Sequence, residues 1–96
     1  MTVTLTTRER AHLKGRAHAL EPVVTVGTAG VTDAVIAELD RALTAHELLK
    51  VRIGSDDRNA RVALGDELCA RTGAVVVDRI GKILILWRPR PVDVEA

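Results

Sequence analysis

Aromatic side chains are nearly missing from this 96-residue sequence, which has one tryptophan and neither tyrosine nor phenylalanine. Hydrophobic residues still make up 47% of the chain. A packed core must therefore be built from valine, leucine, isoleucine and alanine. At this length we expect one domain over residues 1–96.

The sequence also lacks long apolar runs and a second cysteine. No apolar run approaches the roughly 20 residues that span a bilayer. Residues 1–4 do not begin the basic and then apolar pattern of a secretory signal. Cys69 stands alone, so it cannot form a disulfide within the chain. These absences predict a cytoplasmic protein that does not enter a membrane.

Charge is balanced in total, at a net +1, but it is segregated along the chain. Residues 1–20 contain four basic side chains and one acidic, and residues 79–91 contain four basic and none acidic. Residues 21–47 contain five acidic side chains and one basic. If the two basic segments lie side by side, they form a positive face suited to nucleic acid.

Hydrophobic periodicity and end signals predict three helices and four strands. The helices are expected at about Thr7–Ala19 behind a Thr6/Glu9 capping box, from Thr32 to near His46, and from an opening at Ser55, Asp56 and Asp57 to Gly73. The strands are expected at Val23–Val26, Leu49–Ile53, Ala74–Val77 and Lys82–Arg88, with a hairpin turn over Asp78–Gly81. This α-β-α-β-α-β-β order implies a two-layer α/β domain around a four-stranded mixed sheet.

A loop with two glycines, Gly27-Thr28-Ala29-Gly30, lies between the first strand and the second helix. Glycines let a backbone come close to a ligand, and a helix N-terminus behind them favours phosphate. The same spacing is also typical of an ordinary tight turn. The loop lacks the Gly-Lys-Ser/Thr ending of a P-loop and the third glycine of a dinucleotide fingerprint, which argues against a nucleotide-using enzyme.

Short motifs follow one another in a specific order. They are Leu13-Lys14-Gly15, Ala17-His18, Leu20, Pro22-Val23-Val24, Gly27-x-x-Gly30-Val31-Thr32, His46-Glu47-Leu48 with Lys50-Val51, Thr72-Gly73-Ala74, and Ile80-Gly81-Lys82 with Trp87-Arg88-Pro89. Together they resemble the CRM domain (chloroplast RNA splicing and ribosome maturation) in its stand-alone bacterial YhbY form. The resemblance implies a core of about residues 5–91 and a fold similar to the C-terminal domain of translation initiation factor three.

The resemblance implies RNA binding without catalysis, in the assembly or maturation of the large ribosomal subunit. The expected partners are ribosomal RNA, the precursor particle and its ribosomal proteins, with no membrane and no small-molecule substrate. Relatives often carry a basic or polar residue inside the glycine loop, whereas Thr28 and Ala29 bring no charge. The expected RNA-binding residues are Gly27, Thr28, Ala29 and Gly30 of the loop, and Arg8, Lys14, Arg16, Lys50, Arg52, Lys82 and Arg88 around it.

Other residues suggest weaker hypotheses. His12 and His18 are six residues apart, which does not put them on one helical face, and no cysteine or carboxylate pattern completes a zinc site. No metal, cofactor or catalytic residue is expected. Trp87 either packs in the core or stacks on a base. The rival to RNA binding is a non-enzymatic adaptor that joins the ribosome through its proteins. Affinity for bare ribosomal RNA separates the two hypotheses.

Overall fold

The computed structural model describes residues 5–89, and its elements follow the expected order. The helices are α1 (Thr7–Ala17), α2 (Asp33–His46) and α3 (Arg58–Thr72), and the strands are β1 (Pro22–Val26), β2 (Leu48–Ile53), β3 (Val75–Ile80) and β4 (Ile83–Trp87). Arg90 and Pro91 lie outside the described residues, as does the N-terminal segment considered for a secretory signal. Within residues 5–89 no helix has the length and apolar character needed to cross a membrane.

Capping side chains account for most of the helix bounds. The Thr6 hydroxyl accepts from the Glu9 amide at 3.1 Å, and the Thr6 amide donates back to the Glu9 carboxylate at 3.0 Å. Thr32 caps α2 by accepting from the Val35 amide at 3.1 Å. Gly73, with φ of 78°, ends α3 in the left-handed conformation that glycine adopts readily. The predicted capping box, N-cap and glycine stop are therefore confirmed.

The sheet is mixed, with strand order β1-β2-β4-β3. β1 and β2 are parallel neighbours joined through α2, and β4 runs antiparallel to both β2 and β3. The turn predicted over residues 78–81 was wrong, because Asp78 and Ile80 belong to β3 and pair with Ile85 and Ile83. The turn is confined to residues 81–82. A bulge between Val76 and Asp78 interrupts the alternation of buried and exposed residues, which hid the length of this strand.

Helices lie on both faces of the sheet. The cluster beneath α2 and α3 consists of Val24, Val26, Leu39, Leu43, Leu49, Val51, Ile53, Leu68, Ala74, Leu84 and Leu86, and the cluster beneath α1 consists of Leu5, Leu13, Ala17, Leu48, Val77 and Ile85. The mixed sheet and helix order are as expected, and the position of α1 adds a third layer to the two expected. Trp87 is partly buried and packs against the cluster beneath α1.

Three connections meet at one end of the sheet. The Gly54 amide, just after β2, donates to the Val26 carbonyl at the end of β1 at 3.0 Å. The Ile53 amide donates to the carbonyl of Lys82 in the β3–β4 turn at 2.8 Å. We call residues 27–32, 54–57 and 81–82 the loop end of the sheet. The glycine loop therefore lies next to the β2–α3 connection, with the β3–β4 turn beyond it.

Candidate nucleic-acid interface

The glycine loop combines a tight turn with an open outer surface. The Gly30 amide donates to the Gly27 carbonyl at 3.0 Å, and Gly30 has φ of 73°, which only glycine adopts without strain. A Cβ atom added at Gly27 would meet nothing within 4 Å. Thr28 and Ala29 are exposed. The loop is thus a turn, as the simpler hypothesis holds, and its backbone is also open to a ligand.

Two of the expected basic residues lie near this loop. Arg52 is exposed on β2, where it is in register with Thr25 of β1 and Ile83 of β4. Lys82 lies in the β3–β4 turn, and its ammonium is 2.6 Å from the Asp56 carboxylate. The hydrogen bond and charge of Lys82 lower the pKa of Asp56 below its usual value of 3.8. Lys82 therefore reaches the loop end with part of its charge already offset.

Two other expected residues serve contacts within the fold. The Lys50 ammonium donates to the carbonyls of Leu20 at 2.9 Å and His18 at 3.4 Å, just after α1. The Arg88 amide donates to the Glu47 carbonyl at the start of β2, opposite the loop end. At about 3.3 Å per residue, β2 separates these two ends by roughly 17 Å. Arg88 is therefore remote from the glycine loop.

The expected residues of α1 form a separate group on the other face of the sheet. Arg8 and Arg16 are exposed, and the Lys14 ammonium is 3.1 Å from the Asp78 carboxylate. Partial burial by itself would raise the pKa of Asp78, but the hydrogen bond and charge of Lys14, with help from Arg10, outweigh it and lower the pKa. Basic side chains of both segments pair with acids, Lys14 with Asp78 and Lys82 with Asp56, so the segments do not form one unbroken positive face.

The structure adds three arginines that the sequence prediction missed. Arg58, Arg61 and Arg79 line a cavity of about 270 Å³ at the loop end, together with Lys82. Arg58 and Arg61 are three apart at the start of α3, a spacing that places side chains on one helical face. That spacing could have indicated the arginine pair from the sequence. The other residues that line the cavity come from distant parts of the chain.

Metal-ligating side chains and the cysteine were the reactive groups considered in the sequence. In this part of the chain no group of three or more histidine, cysteine or acidic residues is placed to hold a metal ion. Cys69 is half-buried on α3, and burial raises the pKa of its thiol. A raised pKa disfavours the reactive thiolate.

Comparisons with known proteins agree with the sequence resemblance. The family model described as the CRS1 / YhbY (CRM) domain matches residues 5–88. A Haemophilus influenzae protein named as an RNA-binding protein is 43% identical over 90% of this chain and 87% of its own length. A Pseudomonas aeruginosa protein named as a probable RNA-binding protein is 42% identical over 93% of this chain and 86% of its own. A solution structure from Staphylococcus aureus shares the fold, with a TM-score of 0.82, 24% identity and 94% coverage of both chains.

Proposed function

Because the chain belongs to the CRS1/YhbY (CRM) domain family, we propose that it is a non-enzymatic RNA-binding protein whose RNA contacts centre on the loop end of the sheet. The names of its relatives support RNA binding. The observation that supports this placement is the exposed stretch of the loop over residues 27–29, beside the exposed Arg52 and the turn that contains Lys82. Backbone amides and nearby cations are the groups that contact nucleic-acid phosphates.

The finer proposal is a role in assembling or maturing the large ribosomal subunit, as one cytoplasmic domain of 96 residues. It is supported by the ordered motifs that the chain shares with stand-alone bacterial YhbY proteins. The expected partner is ribosomal RNA in the precursor particle. An adaptor that contacts only ribosomal proteins would show little affinity for bare ribosomal RNA, so this measurement decides between the two roles.

The test changes the charge of the glycine loop while keeping its length. Replacing Thr28 and Ala29 with two aspartates adds charge that repels phosphate, whereas replacing them with two serines keeps the loop small and neutral. We expect the aspartate variant to lose most of its affinity for bare ribosomal RNA and the serine variant to bind as wild type does. Thr28→Lys should bind more tightly and show a steeper salt dependence, by roughly 0.7 log unit per log unit of salt if it contacts one phosphate of single-stranded RNA.

Both loop residues are exposed, so none of these substitutions should change the melting temperature appreciably. A folded aspartate variant that binds RNA as wild type does would show that the loop is only a turn. The RNA surface would then lie elsewhere, for example along Arg8 and Arg16 on α1.

A further inference from the structure

The cavity at the loop end has two chemically different parts. Its lining contains an apolar set, which we call the floor (Ile53, Val62, Ile83 and Leu84), and a basic set, which we call the rim (Arg58, Arg61, Arg79 and Lys82). Ile53 and Leu84 are each only 2% exposed, so the floor reaches the core of the molecule. A surface that bound only phosphate would need the cations but not the apolar floor. The pairing of an apolar cavity with a cationic rim matches a nucleotide, which has an apolar base face and an anionic backbone.

The position of Arg79 in this rim depends on a glycine in the opposing helix. A Cβ atom added at Gly65 of α3 would lie 2.8 Å from the Arg79 guanidinium and 3.0 Å from Leu84. The carboxylate of Asp66, the next residue, accepts from the other end of that guanidinium at 2.9 Å. The guanidinium is therefore held beside α3 and Leu84 at the wall of the cavity. Arginine guanidinium groups stack on bases in protein–RNA complexes.

The rim keeps an excess of positive charge after its internal contacts are counted. Lys82 pairs with Asp56 and Arg79 pairs with Asp66. Arg61 donates to the Ser55 carbonyl at 3.0 Å, a neutral acceptor, so its charge is not cancelled by that contact. Arg58 is exposed in the first turn of α3. Phosphates beside the cavity would therefore meet Arg58 and Arg61 first.

We propose that this cavity takes the base of one unpaired nucleotide of the bound RNA, with the neighbouring phosphates on Arg58 and Arg61. The proposal rests on the RNA binding proposed above and adds a requirement for single-stranded RNA at one position. At about 270 Å³ the cavity is slightly smaller than typical pockets for small-molecule ligands, which begin near roughly 300 Å³, and so suits one base. A base within a duplex cannot enter it without leaving the stack.

The experiment fills the cavity without changing its charge. Val62→Phe adds bulk to the floor, and Ala63→Phe adds the same side chain at the neighbouring exposed position of α3 as a matched control. The probes are a short single-stranded oligoribonucleotide of mixed sequence and an abasic strand of equal length, which keeps the phosphates but has no bases. Val62→Phe should weaken binding of the first probe about tenfold and leave binding of the abasic strand unchanged. Ala63→Phe should bind both probes as wild type does.

Charge variants separate the rim from the floor. Replacing Arg58 and Arg61 with alanine should weaken binding of both probes and reduce the salt slope by roughly 0.7 log unit for each phosphate that the variant no longer binds.

A second measurement needs no variant: photocrosslinking of a 4-thiouridine-labelled strand to wild-type protein should label Val62, Ile83 or their neighbours in the cavity wall.

The outcomes distinguish this inference from the function on which it rests. Crosslinks confined to residues outside the cavity overturn it, as does a folded Val62→Phe variant that binds the oligoribonucleotide with wild-type affinity. If Val62→Phe binds as wild type does but the Thr28/Ala29 aspartate variant loses binding, RNA binding at the loop end is supported and only the proposed base site is wrong. If wild-type protein binds neither probe nor bare ribosomal RNA, the proposed function itself is wrong.

Discussion

At the scale of single residues, Arg88 is a basic side chain that is engaged by contacts within the fold and not by the proposed binding surface. Its guanidinium donates to the Asp40 carboxylate at 2.6 Å and the Thr72 carbonyl at 2.9 Å, and the side chain is 20% exposed. Arg88→Ala leaves these acceptors unpaired, so the free energy of unfolding should fall by about 1.5–3 kcal/mol in chemical denaturation. Arg8→Ala, on the exposed side of α1, should change it by less than about 0.5 kcal/mol. If Arg88→Ala has wild-type stability but binds RNA more weakly, Arg88 contacts RNA after all.

At the scale of elements, α2 joins the glycine loop to the core. Leu39, on the inner side of α2, is 0% exposed and belongs to the larger of the two core clusters. Leu39→Ala should lower the free energy of unfolding by about 2–5 kcal/mol, because apolar burial is reduced and a cavity is left behind. Glu38→Ala, an exposed neighbour on the same helix, should leave it within about 0.5 kcal/mol. A thermal melt of Leu39→Ala that matches wild type would mean that the buried face of α2 is assigned incorrectly.

At the scale of the whole molecule, stability should depend on pH, because three carboxyl groups are bonded in the fold: Glu9 in the cap of α1, Asp56 to Lys82 and Asp78 to Lys14. Hydrogen bonds from the amide and side chain of Thr6 lower the pKa of Glu9 below its usual 4.5, and the pKa values of Asp56 and Asp78 are lowered below 3.8 by their lysine partners. A carboxyl whose folded pKa is depressed binds protons more readily when unfolded. These three carboxyls should therefore lower the free energy of unfolding as pH drops below about 4.5, and should add no pH dependence near pH 7. Asp78→Asn should make that fall shallower, and a wild-type denaturation midpoint that is constant down to about pH 3 would contradict the assignment.

Local chemistry explains why most of the fold was predictable. A capping hydroxyl such as Thr6 or Thr32 acts within three residues, so its effect is visible in sequence. Helix α1 nevertheless ends at Ala17, two residues before the predicted bound, because the His18 amide bonds to the Gly15 carbonyl three residues back. The third strand was predicted too short because its bulge breaks the alternation on which strand prediction depends.

The glycine loop, Arg52 and Lys82 of the candidate site were predicted from the sequence, whereas the cavity was not. The two glycines are close in sequence to the helix that they precede, so the role proposed for them follows from the local pattern alone. The cavity could not be predicted, because Arg58 and Arg61 line it together with Arg79 only when α3 packs against β3. That packing depends on the strand order, which no local signal specifies.

The sequence by itself determined the helices and strands, the glycine turn and the family, since each depends on residues close together or on their order. Tertiary structure decided which charges remain available to a ligand. Lys14 meets Asp78, Lys82 meets Asp56 and Arg88 meets Asp40 only after the chain has folded. Coulomb energy depends on distance in space and on burial, and separation along the chain specifies neither. The fold therefore decides which basic side chains are paired with acids and which are not.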